Sequence, residues 1–120
     1  MKFTTPLKKN HEFKRLYTKG KNAASKYVAV YSRRNNMPEN RLGITVSTKL
    51  GGAVQRNRIR RRLKEIYRQN ESMLASGYDI VIVARMRSRI AGFKELESSV
   101  INIFNKLGIA AGITAGGNRL

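Results

Sequence analysis

Six of the nine residues at positions 56–64 are cationic, and no acidic residue interrupts them. The segment reads RNRIRRRLK, and the first carboxylate after it belongs to Glu65. Arginine predominates over lysine, and a guanidinium group can form two parallel hydrogen bonds with a phosphate and can also stack on a base. The chemistry that this pattern indicates is binding of a polyanion, and nucleic acid is the first candidate.

The basic run lies within a segment that is predicted to form one helix. Residues 53–70 contain no glycine or proline and are rich in Arg, Lys, Leu and Glu. At about 100° per residue the apolar side chains fall on one side, namely Ile59, Leu63, Ile66 and Tyr67. A neighbouring arc holds Arg56, Asn57, Arg60, Arg61, Lys64 and Arg68. These like charges repel one another, and a phosphate backbone would relieve the repulsion. The simpler alternative is that these cations form an ordinary solvent-exposed helix face with no ligand.

Four aromatic residues form a second candidate surface. Phe13 and Tyr17 share one face of the first predicted helix, and Tyr27 and Tyr31 share one face of the first predicted strand. Unpaired bases stack on such rings, at about 1–3 kcal/mol per base. Packing in the core is the alternative, but Tyr in place of Phe or Leu favours a partly hydrated surface. We interpret the four rings as a groove for single-stranded nucleic acid.

The hydropathy pattern predicts three helices and a small sheet. Strands are predicted at residues 27–33 and 42–47, which we expect to pair as a hairpin across a polar loop. Residues 79–84 are almost wholly apolar, which is typical of a central strand covered on both faces. The last helix carries apolar residues at seven-residue spacing from Phe93 to Leu107 and should face the core.

These elements predict a single α+β domain over residues 1–120. We expect an α/β sandwich in which a small mixed sheet of about four strands packs with about three helices. Residues 1–9 are polar and basic, and residues 108–120 are rich in Gly and Ala without any period. We expect both terminal segments to be flexible.

Composition narrows the choice of partner and compartment. The chain has 25 Lys and Arg against 7 Asp and Glu, a net charge of +18, and neither Cys nor Trp. The absence of Cys excludes disulfides and thiol chemistry, and it fits a cytoplasmic protein. An acidic membrane is the rival polyanion, but membrane binding of this kind uses a basic amphipathic helix with Trp, Phe or Leu on its apolar face or a lipidation site, and the chain has no Trp and no Cys. We therefore expect nucleic acid as partner, and no membrane.

The residues that a protein nuclease needs are not grouped in this sequence. Such an enzyme uses a general base, a general acid or a cluster of metal-binding carboxylates. The only histidine is His11, which we interpret as a surface residue of the first helix, and the seven acidic residues are scattered. Gly51 and Gly52 lack the Lys-Ser/Thr that follows the glycines of a phosphate-binding loop. We expect neither catalytic nor metal-binding residues.

The segment KLGGAVQRNRIRRRLKEIYR, which starts at Lys49, resembles the signature of the bacterial ribonuclease P protein family. That signature is a Lys, then Gly-x-Ala-Val-x-Arg-Asn, a basic pair and a later basic-acidic pair. The matching residues are Lys49, Gly52, Ala53, Val54, Arg56, Asn57, Arg61 and Glu65. Arg60 replaces the usual Lys and Lys64 the usual Arg, so the charge is kept. LKKNHEF near the start and YDIVIVAR before the last helix extend the resemblance to all but the C-terminal tail.

The resemblance implies a fold, a function and two binding surfaces. In the family the basic helix forms an unusual left-handed crossover between parallel strands, where the general rule predicts a right-handed one. The protein assists a catalytic RNA that removes the 5′ leader of precursor tRNA, with Mg²⁺ held by the RNA and the substrate. The catalytic-RNA-binding residues are then Lys49, Arg56, Asn57, Arg58, Arg60, Arg61, Lys64 and Arg68. By resemblance Phe13, Tyr17 and Tyr31 line a cleft for the leader, and the spacing of the rings adds Tyr27. We expect one protein monomer for each RNA.

Three other functions are the alternatives to a ribonuclease P protein. A structural RNA-binding protein, such as a ribosomal component, would share the size, the charge and the lack of a catalytic site, but it would show no preference for a leader. An RNA hydrolase acting alone has no candidate residues. A DNA-binding module is the third, and no helix-turn-helix with a base-reading helix is evident.

Overall fold

A computed structural model describes residues 4–110 of the 120-residue chain. Its strands are β1 (Thr4–Pro6), β2 (Lys21–Ala24), β3 (Val28–Arg34), β4 (Asn40–Thr45) and β5 (Tyr78–Ala84). Its α-helices are α1 (Asn10–Lys19), α2 (Ala53–Asn70) and α3 (Phe93–Leu107). Short 3₁₀ helices lie at Thr48–Leu50, Glu71–Met73 and Met86–Arg89. The predicted α+β class is confirmed, with five strands in this part of the chain where about four were expected.

The strands form one mixed sheet in the order β1-β4-β5-β3-β2. As the apolar run predicted, β5 lies at its centre. It pairs antiparallel with β3 and parallel with β4. The predicted hairpin between β3 and β4 is wrong, because β5 pairs between them. A strand that is apolar on both faces is best buried with a neighbour on each edge, whereas the polar β3–β4 loop is long enough to let those strands separate.

The connection from β4 to β5 contains α2, so the basic helix lies in a crossover between adjacent parallel strands. This connectivity is the one that the family resemblance implies. The left-handedness of the crossover stays a prediction. α2 begins and ends where the sequence pattern predicted, at Ala53 and Asn70.

The sheet buries apolar side chains on both faces, and β5 supplies both. Ile80 and Ile82 point into the larger cluster, which α2 and α3 cover, while Val81 points into a smaller cluster beneath α1. Leu16 is the α1 side chain that closes the smaller cluster. One face of the sheet is thus fully covered by two helices, and α1 crosses the other.

Two short strands were not recognised in the sequence. Residues 4–6, which were expected to belong to a flexible lead-in, form β1 and pair with β4. The Thr4 hydroxyl lies 2.8 Å from the Tyr67 hydroxyl oxygen and donates to Glu71 at 2.6 Å, so residues far along the chain hold β1 in place. β2 is a polar edge strand that pairs with β3. Neither strand shows the alternation of apolar and polar residues from which a strand is predicted.

The predicted flexible tail began at residue 108, and the first residues of that segment are packed against the protein. Ile109 and Ala110 are buried, and the Ile109 carbonyl accepts a hydrogen bond of 2.9 Å from the Ala75 amide. Residues 1–3 and 111–120 lie outside the described part of the chain, so the expectation for them stays a prediction.

An ion-pair network fastens α1 to the sheet. Arg41 on β4 donates to both carboxylate oxygens of Asp79 on β5, at 2.8 and 2.7 Å, and also to Glu12 on α1. The Arg41 side chain is 23% exposed, and both carboxylates are less exposed. The pKa of Arg41 is raised above its ordinary value, and the main cause is its hydrogen bonding to Asp79. The first turn of α1, including the neighbouring Phe13, is thereby positioned over the sheet.

We predict that Arg41→Met lowers the free energy of unfolding by about 1–3 kcal/mol, because two poorly exposed carboxylates lose their shared partner. Chemical denaturation measured by circular dichroism tests this. Arg68→Met is the matched control, since the Arg68–Glu65 pair is half exposed and such pairs contribute little. Equal effects of the two substitutions would contradict the positioning role of Arg41.

Candidate nucleic-acid interface

A tight turn sets the start of the basic helix, α2. The Ser47 hydroxyl accepts a hydrogen bond of 3.1 Å from the Lys49 amide, and Gly51 then adopts a φ of 125° that L side chains rarely take. The Arg56 guanidinium donates back to the Gly51 carbonyl at 3.1 Å. The turn leaves Lys49 exposed immediately before the first turn of α2.

α2 is anchored by its apolar side, as its amphipathic pattern predicted. The buried residues of this helix are Ile59, Leu63, Ile66, Tyr67 and Asn70. The exposed members of the predicted RNA-binding set are Lys49, Asn57, Arg58, Arg61, Lys64 and Arg68, and the half-buried members are Arg56 and Arg60. A single helix therefore docks on the sheet and presents cations to solvent.

Most of these cations are not neutralised by the protein. Within residues 4–110 no ion pair involves Arg56, Arg58, Arg60, Arg61 or Lys64. Arg60 instead donates to the Asn57 side-chain oxygen at 3.0 Å. Arg68 differs, because it pairs with Glu65 at 2.5 Å. Hydrogen bonds from Arg68 and Gln69 lower the pKa of Glu65 to about 2, so this carboxylate is ionised at neutral pH.

The helix dipole adds to the positive charge at the start of α2. The first turn contains no acidic residue, although the exposed amides there favour negative groups.

Two shallow depressions lie on the cationic face of α2. One, of about 380 Å³, is lined by Val54, Asn57, Arg60 and Arg61, and the other, of about 520 Å³, by Arg61, Lys64, Glu65 and Arg68. Arg61 lines both, so it lies at the centre of the charged face.

Three of the four predicted aromatic residues come together on the opposite face of the sheet. Tyr17 lies 5.0 Å from Tyr31 in an edge-on arrangement and 6.5 Å from Phe13, measured between ring centres. The Phe13 ring lies over Gly43, where a Cβ atom would be 2.6 Å from two ring carbons. Tyr17 is 40% exposed. We call Phe13, Tyr17 and Tyr31 the aromatic surface.

Tyr27 does not belong to this surface. It precedes β3 and packs against the larger cluster, on the side of the sheet that α3 covers. Its hydroxyl donates to Glu95 of α3 at 3.1 Å, and Lys26 lies 5.2 Å from its ring centre. Strand alternation alone placed Tyr27 with Tyr31, but the regular strand begins only at Val28.

The aromatic surface and the start of the basic helix lie at the same end of the sheet. The Tyr17 hydroxyl is 3.1 Å from the hydroxyl oxygen of Thr45, the last residue of β4. From Thr45 the chain passes through the Thr48–Leu50 turn directly into α2. A strand of nucleic acid lying on the aromatic surface would therefore run close to Lys49 and the first turn of α2.

A second cationic element at this end was not predicted as a site from the sequence. Arg85, Arg87 and Arg89 follow β5, and all three are exposed. We call residues 85–89 the arginine segment. The Arg62 guanidinium donates to the carbonyl of Ala91 at 3.0 Å and so ties the chain just after this segment to α2. The alternate arginines are visible in the sequence, but only folding brings them beside the basic helix.

Within residues 4–110 no three of the His, Asp and Glu side chains are grouped so that they could hold a metal ion. His11 is exposed on α1, as predicted. No helix in this part of the chain is both long and apolar enough to cross a membrane.

Comparisons with known proteins agree with this geometry. The Ribonuclease P family model matches residues 1–108. The ribonuclease P protein component of Clostridioides difficile is 42% identical over 108 residues, which are 89% of this chain and 95% of that protein. The component from Alkaliphilus metalliredigens is 39% identical over 107 residues, which are 89% and 96% of the two chains.

Solved structures give the same result. The ribonuclease P protein of Staphylococcus aureus is 32% identical and superposes with a TM-score of 0.81 over 88% of this chain and 96% of that one. The protein from Thermotoga maritima is 31% identical, with a TM-score of 0.75 over 81% and 92% of the two chains. This chain therefore belongs to the ribonuclease P protein component family.

Proposed function

We propose that this chain is the RNA-binding subunit of ribonuclease P and helps a catalytic RNA to remove the 5′ leader from precursor tRNA. The observation that carries the proposal is the exposed face of α2, where five cations have no ion-pair partner within residues 4–110. The family to which the chain belongs supplies the identity of the enzyme. We place the complex in the cytoplasm.

The basic helix binds the catalytic RNA through its phosphates. Each phosphate that an arginine or lysine neutralises releases condensed counterions, which adds affinity irrespective of base sequence. Because the apolar side of α2 is buried in the core, the helix holds its cations in fixed positions before RNA binds. Lys49 and Arg56 extend the contact around the start of α2.

The aromatic surface binds the single-stranded leader of precursor tRNA. Tyr17 is the most exposed of its rings and is the ring on which a base would stack, while Phe13 and Tyr31 form the half-buried floor. Stacking on such rings tolerates different bases, which suits leaders of varied sequence. Only precursor tRNA carries a leader, so this surface would favour substrate over product.

The chemical step belongs to the RNA in this proposal. Mg²⁺ bound by the catalytic RNA and the substrate would activate water and stabilise the charge that develops during hydrolysis of the phosphodiester. The protein shields phosphate charge, which lowers the Mg²⁺ concentration that the RNA needs, and holds the leader in place. One protein monomer would serve one RNA.

Reconstitution with the cognate catalytic RNA tests the function directly. We expect the protein to increase cleavage of precursor tRNA strongly at low Mg²⁺ concentration and only slightly at high concentration, because metal ions then screen the same charges. Cleavage by the protein alone would support an RNA hydrolase instead. No stimulation at any Mg²⁺ concentration would exclude the proposed subunit.

We predict that Arg60→Ala and Arg61→Ala each weaken binding to the catalytic RNA. Each should also reduce the slope of log affinity against log salt concentration by roughly one for every lost phosphate contact. Filter binding at several salt concentrations measures this slope. Lys94→Ala, an exposed cation at the start of α3, is the control. Unchanged slopes in both arginine variants would place the RNA on another surface.

We predict that Tyr17→Ala weakens binding of precursor tRNA to the assembled enzyme by about 1–3 kcal/mol, because a stacked base is lost. Affinity for mature tRNA should not change. Tyr27→Ala is the matched control, since Tyr27 lies on the α3 side of the sheet. Equal losses for precursor and mature tRNA would favour a general RNA-binding protein, such as a ribosomal component, over this assignment.

A further inference from the structure

A depression of about 500 Å³ lies mostly on the α3 side of the sheet, where that helix ends at Leu107. Leu107 and Tyr78 of its lining also pack against the larger cluster. We call it the α3-side depression. Its lining residues are Lys19, Lys21, Ser32, Arg33, Arg34, Asn36, Tyr78 and Leu107. The aromatic surface lies on the other face of the sheet, so the function proposed above makes no use of this depression.

Ser32 supplies a buried polar group to the α3-side depression. It lies two residues after Val30 on β3, so both side chains point to the face of the larger cluster. Ser32 is only 3% exposed, and none of the hydrogen bonds within residues 4–110 involves its hydroxyl. This hydroxyl is therefore available to donate to a group bound in the depression. Lys21 is the strand partner of Ser32 on β2 and can reach the same group.

The positive charge around the depression is not neutralised by the protein. The four cations of the lining are Lys19, Lys21, Arg33 and Arg34. All four are exposed, and none forms an ion pair within residues 4–110. The strand partner of Arg33 is Asp79, but Arg41 already binds that carboxylate. Like charges at this density repel one another, and an anionic ligand would relieve the repulsion.

Arg34 and Tyr78 provide a place for a flat ring beside the bound anion. They are strand partners on β3 and β5, and the Arg34 guanidinium lies 5.5 Å from the centre of the Tyr78 ring. This contact orients the guanidinium plane, whose outer face can stack on a base. Ser32 lies two residues from Arg34 along β3, which is about 7 Å. A phosphate at Ser32 and a base on Arg34 are thus compatible with one small ligand.

The dimensions of the depression favour a free nucleotide over a strand of RNA. Its volume falls within the range of about 300–1,000 Å³ that is typical of small-molecule sites. A terminal phosphate can enter far enough to meet the buried Ser32, whereas a phosphate inside a strand is flanked by a nucleotide on each side. The rim is also fixed beforehand, because the Met37 amide donates to the Asn35 side chain at 2.8 Å and Asn36 holds a φ of 58°.

We propose that the α3-side depression is a binding site for a free nucleoside diphosphate or triphosphate. Ser32 and Lys21 hold the terminal phosphate, and the base stacks on Arg34 where it covers Tyr78. Lys19 and the remaining arginine add attraction at the rim, which favours two or more phosphates over one. The site lies away from both RNA-binding surfaces, so the inference does not rest on the proposed function.

Calorimetric titration of the full chain with ADP, pyrophosphate and adenosine at about 0.15 M salt tests the site, because this salt screens weak binding to the general surface charge. We expect one ADP per protein. ADP should bind at least about fivefold more tightly than pyrophosphate, since stacking of the base adds affinity. Adenosine, which lacks the phosphates, should bind more weakly than either.

Two variants with matched controls locate the bound nucleotide. Lys21→Gln/Arg34→Gln should weaken ADP binding about tenfold or more, whereas Lys26→Gln/Lys94→Gln, with the same loss of charge, should leave it unchanged. Ser32→Ala should weaken ADP binding roughly three- to tenfold without any change of charge. The control for this substitution is Ser98→Ala, at an exposed position of α3. Circular dichroism and thermal unfolding verify that each variant folds.

Three results would overturn the inference. Equal weakening by the two double variants would mean that ADP responds only to net charge. Equal affinities for ADP and pyrophosphate would mean that no base is bound. Loss of ADP binding when the catalytic RNA is present would assign the depression to that RNA. The titration of the protein alone does not depend on RNA cleavage, so a failure here leaves the proposed function to its own test.

Discussion

Burial of β5 is the constraint on which the rest of the structure depends. Its side chains alternate between two apolar clusters, so the strand requires cover on both faces and a neighbour on each edge. α2 and α3 cover one face, α1 crosses the other, and β3 and β4 supply the edges. The positions of the basic helix and of the aromatic surface follow from this arrangement, because each lies on an element that packs against β5.

The few carboxylates of the chain are used mainly to hold the fold together. Glu12 and Asp79 share Arg41 beneath α1, and Glu95 accepts hydrogen bonds from Tyr27 and from the Gly92 amide. These contacts leave most cations of α2, and those of the arginine segment, without an ion-pair partner within residues 4–110. Much of the net charge of +18 is thus concentrated in separate regions of the surface, which in the proposed function face RNA.

Two cationic regions lie at one end of the aromatic surface. The start of α2 and the arginine segment both lie at the Thr45 end of the sheet. In the proposed function, an RNA strand that stacks on Tyr17 and Tyr31 would meet positive charge at that end. Stacking fixes where the strand lies, and the phosphate contacts supply affinity that decreases as salt concentration rises.

The sequence by itself determined α2, the central strand and the cationic face, because these depend on local periodicity and charge. Residues such as Ile59 and Leu63 repeat at helical spacing, and the family signature lies in the same segment. Only the tertiary structure decided that β5 separates β3 from β4 and that Thr4 holds β1 against α2. It also decided that Tyr27 packs on the α3 side of the sheet and not beside Tyr31. Each of these depends on contacts between residues far apart in the chain, which no local pattern encodes.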